Sequence, residues 1–160
     1  MSKTLQTGRI YQLNCSQGGV PKLPVDEAVL TKTGLVGDVQ KHTKFHGGVE
    51  RALCLYAIEL IQLLQREGHP ISSGSTGENV TLEGIDWTQV QPGVYLSIGD
   101  EVLIEISSYT VPCRTIAKSF VNENFQRLSQ KLYPHQARVY ASVLRTGTIK
   151  VGDPVSISKR

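Results

Sequence analysis

The chain has 160 residues, 39% hydrophobic and 19% charged, with a formal net charge of +3. That composition suits one folded domain spanning residues 1–160, with a core burying roughly two-thirds of the unfolded surface. The absence of a Lys/Arg cluster interleaved with aromatics argues against nucleic acid as a partner. No apolar run is long enough to span a bilayer, and Met1-Ser2-Lys3-Thr4-Leu5 lacks the apolar core of a signal peptide.

Fifteen glycines and seven prolines favour many short strands over a helical bundle. Residues 8–14 alternate Ile10 and Gln12 against Tyr11 and Leu13, which predicts a strand. Gly18-Gly19, Pro21 and Pro24 mark a loop, and residues 26–32 read as a second strand. Gly34-Leu35-Val36-Gly37-Asp38 and the stretch from Lys41 to Gly48 are dense in glycine, so the backbone there can approach a ligand closely. Residues 52–56 form a continuous apolar run, expected to be a buried strand enclosing Cys54. Ile58, Leu60, Ile61, Leu63 and Leu64 follow helical spacing, closed by Gly68 and Pro70.

Beyond a polar loop at 72–77, strands are expected at 78–82, 94–98 and 102–106, the last with the clearest alternation. Ile116, Phe120, Val121, Phe125 and Leu128 recur at helix-like intervals after Cys113, predicting a helix up to about Lys131. Residues 138–144, 148–151 and 155–157 read as strands. Gly37-Asp38, Gly99-Asp100 and Gly152-Asp153 suggest similar hairpin corners. The expected architecture is mainly β with a few helices, a closed or partly open barrel that leaves no exposed edge.

Cys15, Cys54 and Cys113 are odd in number and widely spaced, which argues against a disulfide framework or zinc ribbon and favours the reducing cytoplasm. Cys113 stands in Val111-Pro112-Cys113-Arg114, at the corner between the clearest strand and the expected helix. Pro112 stiffens that corner, while Arg114 and the first amides of a helix would favour a thiolate. The competing possibility is an inert core thiol, which is the reading for Cys15 and Cys54.

His42 and His46 lie four apart with Glu50 four further on, but Gly47 and Gly48 interrupt any helix that would align them as zinc ligands. Gly77-Glu78-Asn79 is either a loop-to-strand join or a pair of pocket-lining side chains. Arg51, Arg138 and Arg145 could each grip a phosphate. Neither a nucleophile elbow nor a standard nucleotide-phosphate loop occurs.

Four motifs occur in order: Gly34-Leu35-Val36-Gly37-Asp38, His46-Gly47-Gly48 followed by Arg51-Ala52, Gly77-Glu78-Asn79, and Pro112-Cys113. Gly99-Asp100, Arg138, Val143-Leu144 and Gly152-Asp153 fit the same order. Over roughly residues 8–158 the chain resembles the MOSC domain, named for the C-terminal domain of molybdenum cofactor sulfurases, and most of all its small stand-alone bacterial members.

The resemblance implies a barrel similar to that of pyruvate kinase and a role with the molybdenum cofactor (molybdopterin), a pterin dithiolene bearing phosphate, with no pyridoxal phosphate. It implies that Cys113 is the catalytic thiol: either a molybdenum ligand in an enzyme reducing N-hydroxylated small molecules, or the carrier of a persulfide. His46, Gly47, Gly48, Arg51, Glu78, Asn79, Arg114 and Arg138 would line the cofactor site, set in the barrel mouth. Electron-transfer proteins or a cysteine desulfurase would be separate partners. A further alternative is a non-catalytic module for a phosphorylated ligand, with Cys113 structural.

Overall fold

The computed structural model describes residues 7–38 and 48–158. Its strands are β1 (Thr7–Cys15), β2 (Leu23–Val25), β3 (Glu27–Thr31), β4 (Gly34–Leu35), β5 (Leu53–Ala57), β6 (Val80–Glu83), β7 (Tyr95–Ile98), β8 (Val102–Tyr109), β9 (Val139–Arg145), β10 (Gly147–Lys150) and β11 (Pro154–Ser158). One α-helix, α1 (Ile58–Arg66), and several short 3-10 turns complete the described elements.

Seven strands close on themselves in the order β1-β11-β7-β8-β9-β5-β6, returning to β1. β2 extends β1 at the rim, and β10, β3 and β4 form a separate three-stranded sheet. The β5–β6 pairing is parallel, bridged by α1, whose Ile58, Ile61 and Leu64 bury one stripe. Closure follows from the alternation within each strand. Ile10, Leu13, Leu55, Val80, Leu82, Leu96, Ile98, Ile104, Ala141, Val143 and Val155 are all essentially inaccessible to solvent. Register places them on one face of the rolled sheet, so the barrel interior is solid hydrocarbon.

Three expectations change. The stretch after Cys113 is not an α-helix but three short 3-10 turns, Arg114–Ser119, Val121–Glu123 and Phe125–Leu128. Its apolar spacing reflects one side packed on the barrel, and Asn122, at φ 56°, breaks any continuous helix. Leu23–Val25 is a strand despite Pro24, because an edge position tolerates a missing N–H. Of the three Gly-Asp pairs, only Gly99-Asp100 turns a hairpin, between β7 and β8. Gly152-Asp153 carries the chain from one sheet to the other, and Asp38 is buried in an ion pair.

Candidate functional site on the outer barrel wall

Tyr140 on β9 faces Cys54 of β5 on one side and Ser108 of β8 on the other. Their sequence neighbours Val139, Ala141, Leu53 and Leu55 point into the barrel, so Cys54 and Tyr140 point out. An irregularity between Ile106 and Ser108 resets β8 so that Ser108 joins this outward face. Arg138, two residues before Tyr140, shares it, and the Thr110 N–H donates to the Arg138 carbonyl at 2.9 Å. Although outward, these residues are covered: Arg138 is 5% exposed, Cys54 7% and Tyr140 7%. This cluster therefore lies on the outer wall of a filled barrel.

Cys113 leads into this region as the residue before the Arg114–Ser119 turn. Pro112 is buried and anchors the corner, Val111 is 80% exposed, and the thiol is partly exposed. Its Sγ lies 2.7 Å from Thr115 Oγ1. The expected α-helical amides are replaced by a six-residue 3-10 turn, so no long helix dipole acts on the sulfur. The Arg114 guanidinium sits over the Phe125 ring, 5.6 Å from its centroid.

Around the Tyr140 ring the charges converge. Arg51 stacks over it at 5.2 Å. Burial pushes its hydroxyl up to about 12, with Cys54 adding to the rise, Arg138 and Arg51 opposing it, and Cys113 contributing last. The structure thus brings Arg51 and Arg138 together with Tyr140 and Cys54, while Cys113 acts on the Tyr140 hydroxyl only as the weakest of the charges around it. Burial also raises the Cys54 thiol, whose Sγ meets Thr110 Oγ1 at 3.8 Å.

Arg138 Nη1 donates to the Thr76 carbonyl at 2.7 Å, while its Nε is buried without a partner. Glu78 shapes the loop supplying that carbonyl. It accepts from Thr76 Oγ1 at 2.8 Å, Gly74 N–H at 2.9 Å and Thr81 Oγ1 at 3.2 Å. Gly74 is irreplaceable there, with φ at +86° and an added Cβ driven into the Lys22 carbonyl. Asn79 accepts from Cys54 N–H at 3.0 Å and donates to Asp38 Oδ2 at 2.8 Å. Both side chains are engaged by the fold: Glu78 orients the Arg138 loop, and Asn79 ties strand β5 to the Gly34–Asp38 motif.

His42, His46 and Gly47 lie outside the described residues. Gly48, at φ 99°, precedes the Val49–Arg51 turn, which Ser107 Oγ holds by donating to the Glu50 carbonyl. Arg145 lies at the other end of β9, exposed. Tyr140 and Lys22 escaped the sequence reading. The alternation of β9 puts Tyr140 on the face of Arg138, which was the available signal; nothing local marks Lys22 as the buried partner of Asp38. Cys15 opens onto a separate hollow of about 470 Å³ lined by Pro21, Leu23, Val25 and Val36. Among the described residues no three His, Cys, Asp or Glu side chains gather closely enough to hold a metal ion. No helix among them is long and apolar enough to cross a membrane.

Residues 42–156 match the MOSC domain. The chain is 30% identical over 145 residues to the uncharacterized protein YflK of Bacillus subtilis, covering 89% of this chain and 64% of that one. It is 30% identical over 146 residues to Escherichia coli YiiM, covering 88% and 64%. It thus spans 64% of the length of both relatives. The crystal structure of YiiM from Geobacillus stearothermophilus superposes with a TM-score of 0.75 at 25% identity, covering 96% of this chain and 76% of that one. By the motif match, by these relatives and by the barrel itself, the chain belongs to the MOSC domain family, a family linked to molybdenum cofactor binding.

Proposed function

We propose that this chain holds the molybdenum cofactor against the outer barrel wall with Cys113 as the protein ligand to molybdenum. It would reduce N-hydroxylated or related small molecules with electrons from separate carrier proteins. The observation that carries this reading is the pairing of an accessible thiol at a stiff corner with a buried guanidinium, Arg138, whose Nε has no partner. An orphaned buried donor suits an acceptor-rich ligand such as a phosphate-bearing pterin. The donor set fits as well: a partly exposed cysteine offers molybdenum a soft thiolate ligand.

When bound, the group supplies two-electron redox chemistry at molybdenum. The chain's part is positional. Pro112 fixes where the sulfur stands, and the Thr115 hydroxyl can donate to it as a thiolate. Arg138 and Arg51 provide positive charge beside the Tyr140 ring. Glu78 holds the loop that aims Arg138.

The test is to express the full chain in a cofactor-producing host and measure molybdenum per chain. Stoichiometric metal in wild type and its loss in Cys113→Ala supports the ligand role; equally empty proteins reject it. A second reading, in which Cys113 carries a persulfide for delivery to a partner, needs only the accessible thiol and the Thr115 hydroxyl. Intact mass after incubation with a cysteine desulfurase and cysteine separates the two. A sulfur adduct absent from Cys113→Ala would favour carriage.

A further inference from the structure

A hollow of about 400 Å³, lined by neither Cys113 nor any residue of the Tyr140 wall, opens between the start of α1, the Trp87–Gln89 turn and residues 134–136. Leu60, Ile85 and Trp87 supply much of its apolar lining. Its fixed charges are of one sign: Glu59 and Asp86 line it, and among the described residues no lysine or arginine does. The rest of the polar lining, Thr88, His135 and Gln136, holds no permanent charge. Each carboxylate is fixed by bonds to one of its oxygens. Glu59 Oε2 accepts from the Gly84 N–H at 2.9 Å, and Asp86 Oδ1 accepts from the Thr88 N–H at 3.1 Å and the Thr88 hydroxyl at 2.7 Å.

The wall formed by residues 134–136 is held as firmly. The Tyr56 hydroxyl donates to the Gln136 carbonyl at 2.6 Å and Trp87 Nε1 to the Ala137 carbonyl at 2.7 Å, and the two rings meet edge to face with centroids 6.0 Å apart. The hollow is therefore preformed, and its volume is that of a small-molecule site. In the same wall Gln136 Oε1 is buried with no hydrogen-bond partner, and an acceptor left open calls for a donor. Two carboxylates and an open acceptor beside apolar side chains suit a ligand that carries positive charge, donates hydrogen bonds and has an apolar body. A bare metal ion would meet hydrocarbon where it needs oxygen. We infer that this hollow binds a small organic cation, an amidinium or primary ammonium group on an apolar ring or chain. The inference goes beyond the reductase reading and does not depend on it, since neither Cys113 nor a cofactor takes part.

Trp87 is the only tryptophan in the chain, so its fluorescence reports on the hollow directly. The full chain is titrated with benzamidine and, in parallel, with benzamide, which has the same ring without the charge. The expected result is a saturable change with benzamidine and none with benzamide, weakening as salt rises from about 20 to about 150 mM. Glu59→Gln/Asp86→Asn keeps acceptors for Gly84 and Thr88 while removing both charges. Benzamidine affinity is expected to fall at least tenfold in that variant and to be unchanged in Glu123→Gln, which lies outside the hollow. Urea unfolding checks that every variant is folded; should the double variant not be, Glu59→Gln alone carries the comparison with an expected loss of at least threefold. A linear, unsaturable quench, an equal response to benzamide, or undiminished binding by the charge-removed variant overturns the inference. So does equal loss in Glu123→Gln. Tighter binding of a capped arginine tripeptide than of benzamidine also overturns it, because the hollow would then be a socket for a partner protein's side chain.

Discussion

Asn79 Nδ2 donates to Asp38 Oδ2 at 2.8 Å while its Oδ1 accepts from the Cys54 backbone, so one buried amide couples the site wall to the Gly34–Asp38 motif. Asn79→Ala strips a partner from each. The expected cost is roughly 2–4 kcal/mol, since buried polar groups are left unsatisfied. Urea unfolding measures it; a loss below about 0.5 kcal/mol would show that Asn79 is not the coupling residue.

Lys22 and Asp38 form a pair at 2.5 Å with side chains only 5% and 4% exposed. Asp38→Ala leaves the Lys22 ammonium buried and uncompensated, an expected loss of roughly 3–5 kcal/mol. Lys22→Met combined with Asp38→Leu should cost less than the sum of the single changes. A double-mutant cycle showing simple additivity would contradict direct coupling.

Thiol reactivity should be graded. Cys54 is buried and its pKa is raised by that burial, so it should resist iodoacetamide until the chain unfolds. Cys15 is partly exposed, but burial and then Asp38 raise its pKa, so its labelling should increase at more alkaline pH than for a free thiol. Peptide mapping of timed alkylation should place Cys113 ahead of both at pH 8. Early modification of Cys54 in native protein would overturn the assignment of that thiol to the covered wall.

Arg127 makes two bonds of 2.9 Å to Glu67 and stacks on Tyr133 at 4.1 Å. Hydrogen bonding to Arg127 holds the Glu67 carboxyl below the usual range. A depressed folded-state pKa means that the unfolded chain binds the proton first. The contribution is therefore complete above the unfolded pKa and disappears as pH falls through the folded one. Because Glu67 is partly exposed, the effect should be no more than about 1 kcal/mol. Urea midpoints measured downward from pH 6 should fall less steeply for Glu67→Gln than for wild type; parallel profiles would exclude the linkage.

Leu55 lies inside the barrel with no accessible surface, so Leu55→Ala should cost roughly 2–5 kcal/mol. Val111→Ala, on the exposed corner before Cys113, should stay within about 0.5 kcal/mol. Thermal unfolding that ranks these two in the opposite order would contradict the solid interior.

The strands were legible because a half-buried strand writes its burial into every second residue: Val102, Ile104 and Ile106 are the inner face of β8. The motif order led to Arg51 and Arg138, which the fold sets beside Tyr140, and to Cys113, at the corner before the Arg114–Ser119 turn. What was not legible depended on distant pairing. Cys54 meets Tyr140 only through β5–β9 register, and Lys22 meets Asp38 only when a loop crosses the end of β1. The 111–133 excursion misled because a surface stretch packed on one side acquires helix-like apolar spacing without helical hydrogen bonding. A barrel suggests a mouth, but the inner face here is filled by side chains, and Arg51, Arg138 and Tyr140 stand outside it.

Strand β9 carries two interleaved messages. Val139, Ala141 and Val143 build the core, while Tyr140, with Arg138 just before the strand, furnishes the wall outside it. Substituting one set leaves the other in place, so this wall can be redecorated with little damage to the scaffold. Adding or deleting a single residue in β9 is different in kind, because it exchanges the two sets at once. Arg138 would be driven into hydrocarbon and the valines turned outward. In this chain the strand has a phase as well as a sequence, and the phase is the less forgiving of the two.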